Sequence, residues 1–125
     1  MATRRTDPDS HLPLTHLALQ ILLALASRPL HGYGIIKDIE DRSGGRTSLR
    51  SGTLYTAIQR LRDDGLLETC PRSGTRSSDP RRKYFRMTDL GRRVATLELE
   101  RLDRVVASGR QRALLDRPAS TEGPR

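Results

Sequence analysis

The chain has 125 residues, enough for one domain with short tails. Hydrophobic residues make up 34% and aromatics 3%, with no Trp, so one modest core can form and a large enzyme cleft is disfavoured. The net charge is +8, and all but two of the 23 cations are arginine, Lys37 and Lys83 being the exceptions.

That excess is local. Residues 42–86 hold eleven cations against four anions, a net of +7, whereas residues 1–41 carry −1 and residues 87–125 carry +2. A local basic excess points to a polyanion, either nucleic acid or an anionic membrane surface. The longest apolar run, Leu17 to Ala26, contains Gln20 and is about half the roughly 20 residues that span a bilayer. No membrane partner is therefore expected. Asp7, Pro8 and Asp9 break the positive stretch begun by Arg4 and Arg5, which argues against a signal peptide. Cys70 is the only cysteine, so no intrachain disulfide can form. A cytoplasmic location is the expectation.

Residues 1–12 are polar and read as a flexible arm, and residues 117–125 as a flexible tail. From Leu14, apolar residues recur at 14, 17, 18, 21, 22 and 25, one wide face of a first helix that Pro29 ends. Leu19 and Leu23 make further sides apolar, so this helix is sandwiched between elements or between subunits. His31-Gly32-Tyr33-Gly34 opens a second helix running to about Arg42, stopped by Ser43-Gly44-Gly45.

A third helix spans about Ser51 to Asp64. Leu54, Ile58 and Leu61 form its buried stripe, Thr56, Gln59 and Asp63 lie opposite, and Gly65 closes it. Leu66 to Cys70 reads as a short strand. Residues 71–80, rich in Pro, Gly and Ser/Thr, form a loop, and Arg81 to Thr88 is the return strand of a long hairpin.

Asp89 to about Asp116 is helical again. Ala95, Leu99, Leu102, Val106, Gly109 and Ala113 are spaced as a heptad-like seam, while Leu90, Val94 and Leu97 face their own domain. At 1.5 Å per residue this helix would reach about 40 Å, more than a small domain covers, so part of it should pack on another subunit.

The order of elements is that of a winged helix-turn-helix, spanning residues 13–88, followed by a dimerisation helix over 89–116. The expected fold is mainly α with a small β-hairpin. The third helix can enter a DNA major groove and the hairpin can lie along the neighbouring backbone. Arg46 and Arg50 precede the recognition helix, where phosphate is favoured. Arg60 and Arg62 lie on it, and Arg72, Arg76, Arg81, Arg82 and Lys83 lie in or beside the wing.

Three motifs carry a family resemblance. His31-Gly32-Tyr33-Gly34-Ile35-Ile36 resembles the start of the second helix in PadR-type regulators. Ser51 to Leu61 with Gly65-Leu66-Leu67 is similar to that family's recognition-helix signature. Arg82 to Gly91 resembles its second wing strand and the turn into the last helix. The resemblance implies a bacterial transcriptional regulator, usually a repressor, dimeric through its first and last helices. The single C-terminal helix resembles the family's shorter subgroup. Arg50 stands where the family usually has Ser, Thr56 where Pro is common, and Phe85 where Tyr is usual. Ser51 is expected to take over the helix cap.

The expected partners are thus a double-stranded DNA operator, read as a pseudo-palindrome, and a second copy of the chain. DNA contacts are expected from Arg46, Arg50, Ser51, Thr53, Tyr55, Thr56, Gln59, Arg60, Arg81, Arg82 and Lys83. Gln59 is suited to adenine and Arg60 to guanine or phosphate. Tyr55 matches the position whose hydroxyl, by the resemblance, donates to phosphate. Dimer contacts are expected from Leu17, Ile21, Leu99, Leu102, Val106 and Ala113. The dimer centre would be lined by Leu, Val and Ala, and a packed aliphatic interface is preferred there. An effector bound at that interface would be apolar or amphiphilic.

No nucleophile–base spacing, Gly-rich phosphate loop or paired carboxylate in an apolar context occurs, so no enzyme is expected. His11, His16, His31 and Cys70 lack metal-ligand spacing, and no metal or cofactor is expected. The rival readings are a dimeric winged-helix adaptor without an operator, and an RNA-binding domain. The latter lacks the usual aromatic stacking platform.

Overall fold

The computed structural model describes residues 7–46, 49–70 and 83–116. The elements in chain order are α1 (His16–Ala24), β1 (Leu30–His31), α2 (Gly32–Arg42), α3 (Ser51–Asp63), β2 (Leu67–Cys70), β3 (Tyr84–Met87) and α4 (Asp89–Gln111). A 3-10 turn at Pro8–His11 precedes them and packs against α4. Part of the expected flexible arm is therefore ordered. Asp7 caps that turn, its side chain accepting the Asp9 N–H at 3.1 Å, and Pro8 pre-sets its first backbone angle.

Helix α1 begins later and ends sooner than its apolar pattern predicts. Thr15 is its cap, with Oγ1 accepting the Ala18 N–H at 3.1 Å. Leu14 lies outside the helix and gives its own N–H to Glu98. The helix stops at Ala24 rather than running to Pro29. The chain then turns so that Leu30 and His31 can pair with Phe85 and Tyr84 of β3. That third strand is absent from the sequence reading. Two residues are too short to display an alternation.

Ala18, Leu19, Ile21, Leu22 and Ala24 are all buried in α1, which packs on α2, α3 and α4. The elements that sandwich it belong to the same chain. The core joins Ile21 and Leu22 to Ile35, Leu54, Ile58, Leu66, Leu67, Phe85 and Val94. Fully burying one such side chain stabilises a fold by about 1.5–3 kcal/mol.

The sheet order is β1-β3-β2, all antiparallel, with Leu67 opposite Met87 and Cys70 opposite Tyr84. Phe85 faces the core from the central strand, and Arg86 faces away. The return strand is observed at Tyr84–Met87, with Lys83 and Thr88 flanking it, while Arg81 and Arg82, expected at its start, lie outside the described residues.

The wing joins α4 through one tight corner. Thr88 accepts the Gly91 N–H at 3.0 Å and donates its hydroxyl to the Gly65 carbonyl at 2.6 Å. Gly91 leaves room for this approach: a Cβ there would sit 1.9 Å from the Leu66 carbonyl oxygen. Helix α4 has 23 residues, about 35 Å, and ends at Gln111 rather than near Asp116. Ala113 lies past the end with φ of 60°, and the Leu114 N–H closes back on the Gly109 carbonyl at 2.9 Å. This left-handed stop is normally a glycine's, so a pattern search for Gly or Asn misses it.

Candidate nucleic-acid interface

Helix α3 divides into two faces. Leu54, Ile58 and Leu61 are buried, while Ser51, Thr53, Tyr55, Thr56, Gln59 and Arg60 are exposed. The 3.6-residue period produces that split, since i, i+4 and i+7 share one side. Arg50 occupies the cap position without a side-chain cap bond, and Ser51 is the first helical residue. The expected takeover of the cap by Ser51 does not occur: its hydroxyl makes no cap bond either. Both side chains stand exposed at the start of the helix.

Along the outer face, Thr56 returns its hydroxyl to the Gly52 carbonyl at 3.0 Å, and Gln59 donates to the Asp63 carboxylate at 3.0 Å. Gln59 is thus held along the helix by Asp63. Tyr55, Thr56, Gln59, Arg60 and Asp63 together line a shallow depression. Among the described residues, no carboxylate pairs with Arg60 and none with Arg62.

Tyr55 is 47% exposed and lies against the start of α2. A Cβ on Gly32 would come within 2.1 Å of the Tyr55 hydroxyl, so the ring sits against the bare α-carbon. His31 caps α2, with Nδ1 accepting the Gly34 N–H at 2.9 Å. That bond gives His31 a capping role at the start of α2.

Of the other expected DNA contacts, Arg46 and Lys83 are exposed. Arg86 is not among the available cations: it pairs with Glu68 across the sheet at 2.6 Å. Burial pushes the nearby Cys70 thiol up, against a smaller opposing pull from Arg86. A thiol in that state is a poor nucleophile.

The expected dimer contacts do not share one surface. Ile21 is 0% exposed inside its own protomer and cannot meet a partner. Ala95, the first residue of the expected seam, likewise fills the protomer core. Leu99 is 41% exposed, and Leu102 and Val106 are half-buried, so the seam is open from Leu99 onward. Ala113 falls beyond the helix and leaves the seam. Leu17 is half-buried and lines a cavity of about 730 Å³ between α1 and α3. Leu14, Ala57 and Leu61 add to its apolar lining, and Arg60 and Asp64 to its charged lining.

Glu98 escaped the sequence reading. It is 1% exposed, and its carboxylate takes the Leu14 N–H at 2.9 Å and the Arg101 guanidinium at 2.6 Å. The Arg101 guanidinium holds its carboxyl below the usual carboxylate range, although burial alone would raise it. The signal was present: Gly91, Val94, Ala95 and Glu98 follow i, i+3, i+4 and i+7. A polar residue at the last of these positions calls for a partner, and Arg101 stands one turn on.

This arrangement, three helices with an exposed polar recognition helix and a three-stranded wing, defines a winged helix-turn-helix DNA-binding regulator. Residues 21–97 match the family described as "Transcriptional regulator PadR-like family", and the chain belongs to it. A protein of Lysinibacillus sphaericus, described as uncharacterised protein X, is 32% identical over 77 residues, covering 62% of this chain and 69% of that protein. A PadR family transcription regulator from Clostridium difficile superposes with a TM-score of 0.64 at 25% identity, over 78% of this chain and 97% of that one. A PadR family regulator from Eggerthella lenta superposes with a TM-score of 0.58 at 30% identity, over 81% of this chain and 83% of that one. Among the described residues, no helix is long and apolar enough to cross a membrane.

Proposed function

We propose that this chain is a transcriptional repressor that binds a pseudo-palindromic operator as a homodimer. One observation carries the reading: α3 turns Ser51, Thr53, Tyr55, Thr56, Gln59 and Arg60 outward from a firmly seated apolar stripe. Such a helix presents hydrogen-bonding groups of the right kinds to a major groove. Two copies related by a two-fold axis would read half-sites about one helical turn apart. Lys83, Arg81 and Arg82 would follow the flanking backbone.

The second copy would seat on Leu99, Leu102 and Val106, whose apolar side chains the protomer leaves partly open, and on Leu17. Selection of bound duplexes from a random pool, followed by gel shifts at rising salt, tests the reading. A regulator gives a defined, two-fold-related sequence and an affinity that falls steeply with salt. A protein-interaction adaptor gives neither.

A further inference from the structure

Arg60 belongs to two surfaces at once. With Thr56 it lines the shallow depression on the outer face of α3, and the same two residues line the cavity of about 730 Å³ on the α1 side. The walls of that cavity come from three places. Pro13 and Leu14 lie before α1, Leu17 and Ala18 on it, and Ala57 and Leu61 on α3. A concavity of this volume is the size of an ordinary small-molecule site.

The lining sets the chemistry of an occupant. Among the described residues, no Phe, Tyr or Trp side chain lines the cavity. It offers no ring to stack on, and a flexible aliphatic body suits its Leu, Ala and Pro walls. Its cation is Arg60, exposed and without a carboxylate partner among the described residues. An unpaired guanidinium beside apolar walls suits a carboxylate, which it can hold through two parallel N–H donors. The surrounding charge favours an anion as well, since residues 42–86 carry a net of +7. Asp64 stands one turn past Arg60 in the same lining and repels an anion, so the carboxylate must lie at the Arg60 end.

We infer that this cavity binds a medium-chain aliphatic carboxylate, its chain along Leu14, Leu17, Ala57 and Leu61 and its head on Arg60. Each protomer holds its own site, apart from any site at the dimer centre. The same guanidinium is assigned to DNA, so an occupied cavity takes it from the operator. The ligand is thus an inducer that competes with DNA for one side chain. That consequence rests on the DNA-binding reading above, whereas the binding itself does not.

Calorimetry on the full chain with decanoate tests the site directly. One decanoate per chain is expected, with affinity falling about fourfold for each methylene removed in octanoate and hexanoate. Decyltrimethylammonium, which carries the same chain and the opposite charge, should not bind. Arg60→Ala should weaken decanoate about tenfold. Asp64→Asn should strengthen it, and Ala57→Leu, which fills part of the cavity, should weaken it. No binding by the wild type, equal affinity for Arg60→Ala, or equal binding of the cationic chain would overturn the inference. A Leu114→Ser, Leu115→Ser chain that binds decanoate where the wild type does not would put a second copy's exposed leucines in the cavity, and would overturn it too. In gel shifts on a duplex selected by the wild type, decanoate should weaken DNA binding, and should do so less for Ala57→Leu. DNA binding untouched by bound decanoate would overturn the competition and leave the site standing. A wild type that selects no duplex would overturn the DNA reading, while calorimetry would still decide the site.

Discussion

The main-chain N–H of Leu14 donates to the buried carboxylate of Glu98 at 2.9 Å, joining the segment before α1 to the middle of α4. Arg101 closes the carboxylate from the solvent side at 2.6 Å. A buried carboxylate is tolerated when its oxygens are filled in this way, and is costly when a partner is taken away. Glu98 also stands at a boundary. Val94 and Ala95 before it fill the protomer core, and Leu99 after it opens the exposed seam.

The first prediction concerns pH. Arg101 holds the Glu98 carboxyl below its ordinary range, and the Leu14 N–H adds to this while burial opposes it. A carboxyl lowered in the folded state contributes stability above its unfolded pKa, and that contribution fades as pH falls through the folded value. An ordinary glutamate titrates at about 4.3. Glu98→Gln should therefore be less stable than wild type by about 1–2 kcal/mol at neutral pH. The gap in urea midpoint should close as the pH is taken below about 4. A gap of the same size in acid would mean that the carboxylate charge is not what holds Leu14.

The second prediction separates core from interface. Ile21→Ala should cost about 2–5 kcal/mol in any oligomeric state, because Ile21 lies wholly inside the protomer. Leu99→Asp with Val106→Asp should instead leave a folded monomer, detected by sedimentation, with little change in its own unfolding. If that double variant remains dimeric, the seam on α4 is not the interface. Truncation is a poorer test: cutting after Gly91 removes Val94 and Ala95, and with them part of the core.

Ile21 and Leu99 also mark how far the sequence could be read. Periodicity identifies apolar faces, and it yields the core stripe of α3 through Leu54, Ile58 and Leu61, with an expected end at about Asp64 one residue from the observed Asp63. It does not say which body covers an apolar face. Ile21 was assigned to a partner and belongs to its own chain. The strand at Leu30–His31 has too few residues for any period, and α4 ends through Ala113 where no glycine announces the turn. On the candidate site, the exposure of Tyr55, Thr56, Gln59 and Arg60 was legible from spacing. The bond from Gln59 to Asp63 and the seat of Tyr55 on Gly32 were not, because each depends on where a side chain points.

The third prediction follows from that Gln59–Asp63 bond. One N–H of the Gln59 amide is engaged along the helix by Asp63 at 3.0 Å, which leaves its second N–H and its carbonyl oxygen for a base edge but holds the side chain along the helix. Asp63→Ala should free the amide and remove a negative charge facing the groove, so binding should tighten several-fold on all duplexes. Gln59→Ala and Arg60→Ala should relax preference at particular base pairs, each by about 1–3 kcal/mol of discrimination. Profiling each variant against the selected pool measures this. Unchanged base preference in both would remove them from the reading surface.

The fourth prediction concerns charge at the wing. Lys83 is exposed just before β3, outside the cross-strand pair that occupies Arg86 and Glu68. A lysine that neutralises one phosphate releases about one counterion. Lys83→Ala should therefore weaken binding to selected and scrambled duplexes alike, and reduce the slope of log affinity against log salt by about 1. Arg86→Ala should leave that slope almost unchanged, because its charge is already met by Glu68. Affinity measured by anisotropy at several salt concentrations compares the two. Equal slopes for Lys83→Ala and wild type would show that the wing root does not touch the backbone. A large change for Arg86→Ala would mean that the Glu68 pair opens when DNA binds.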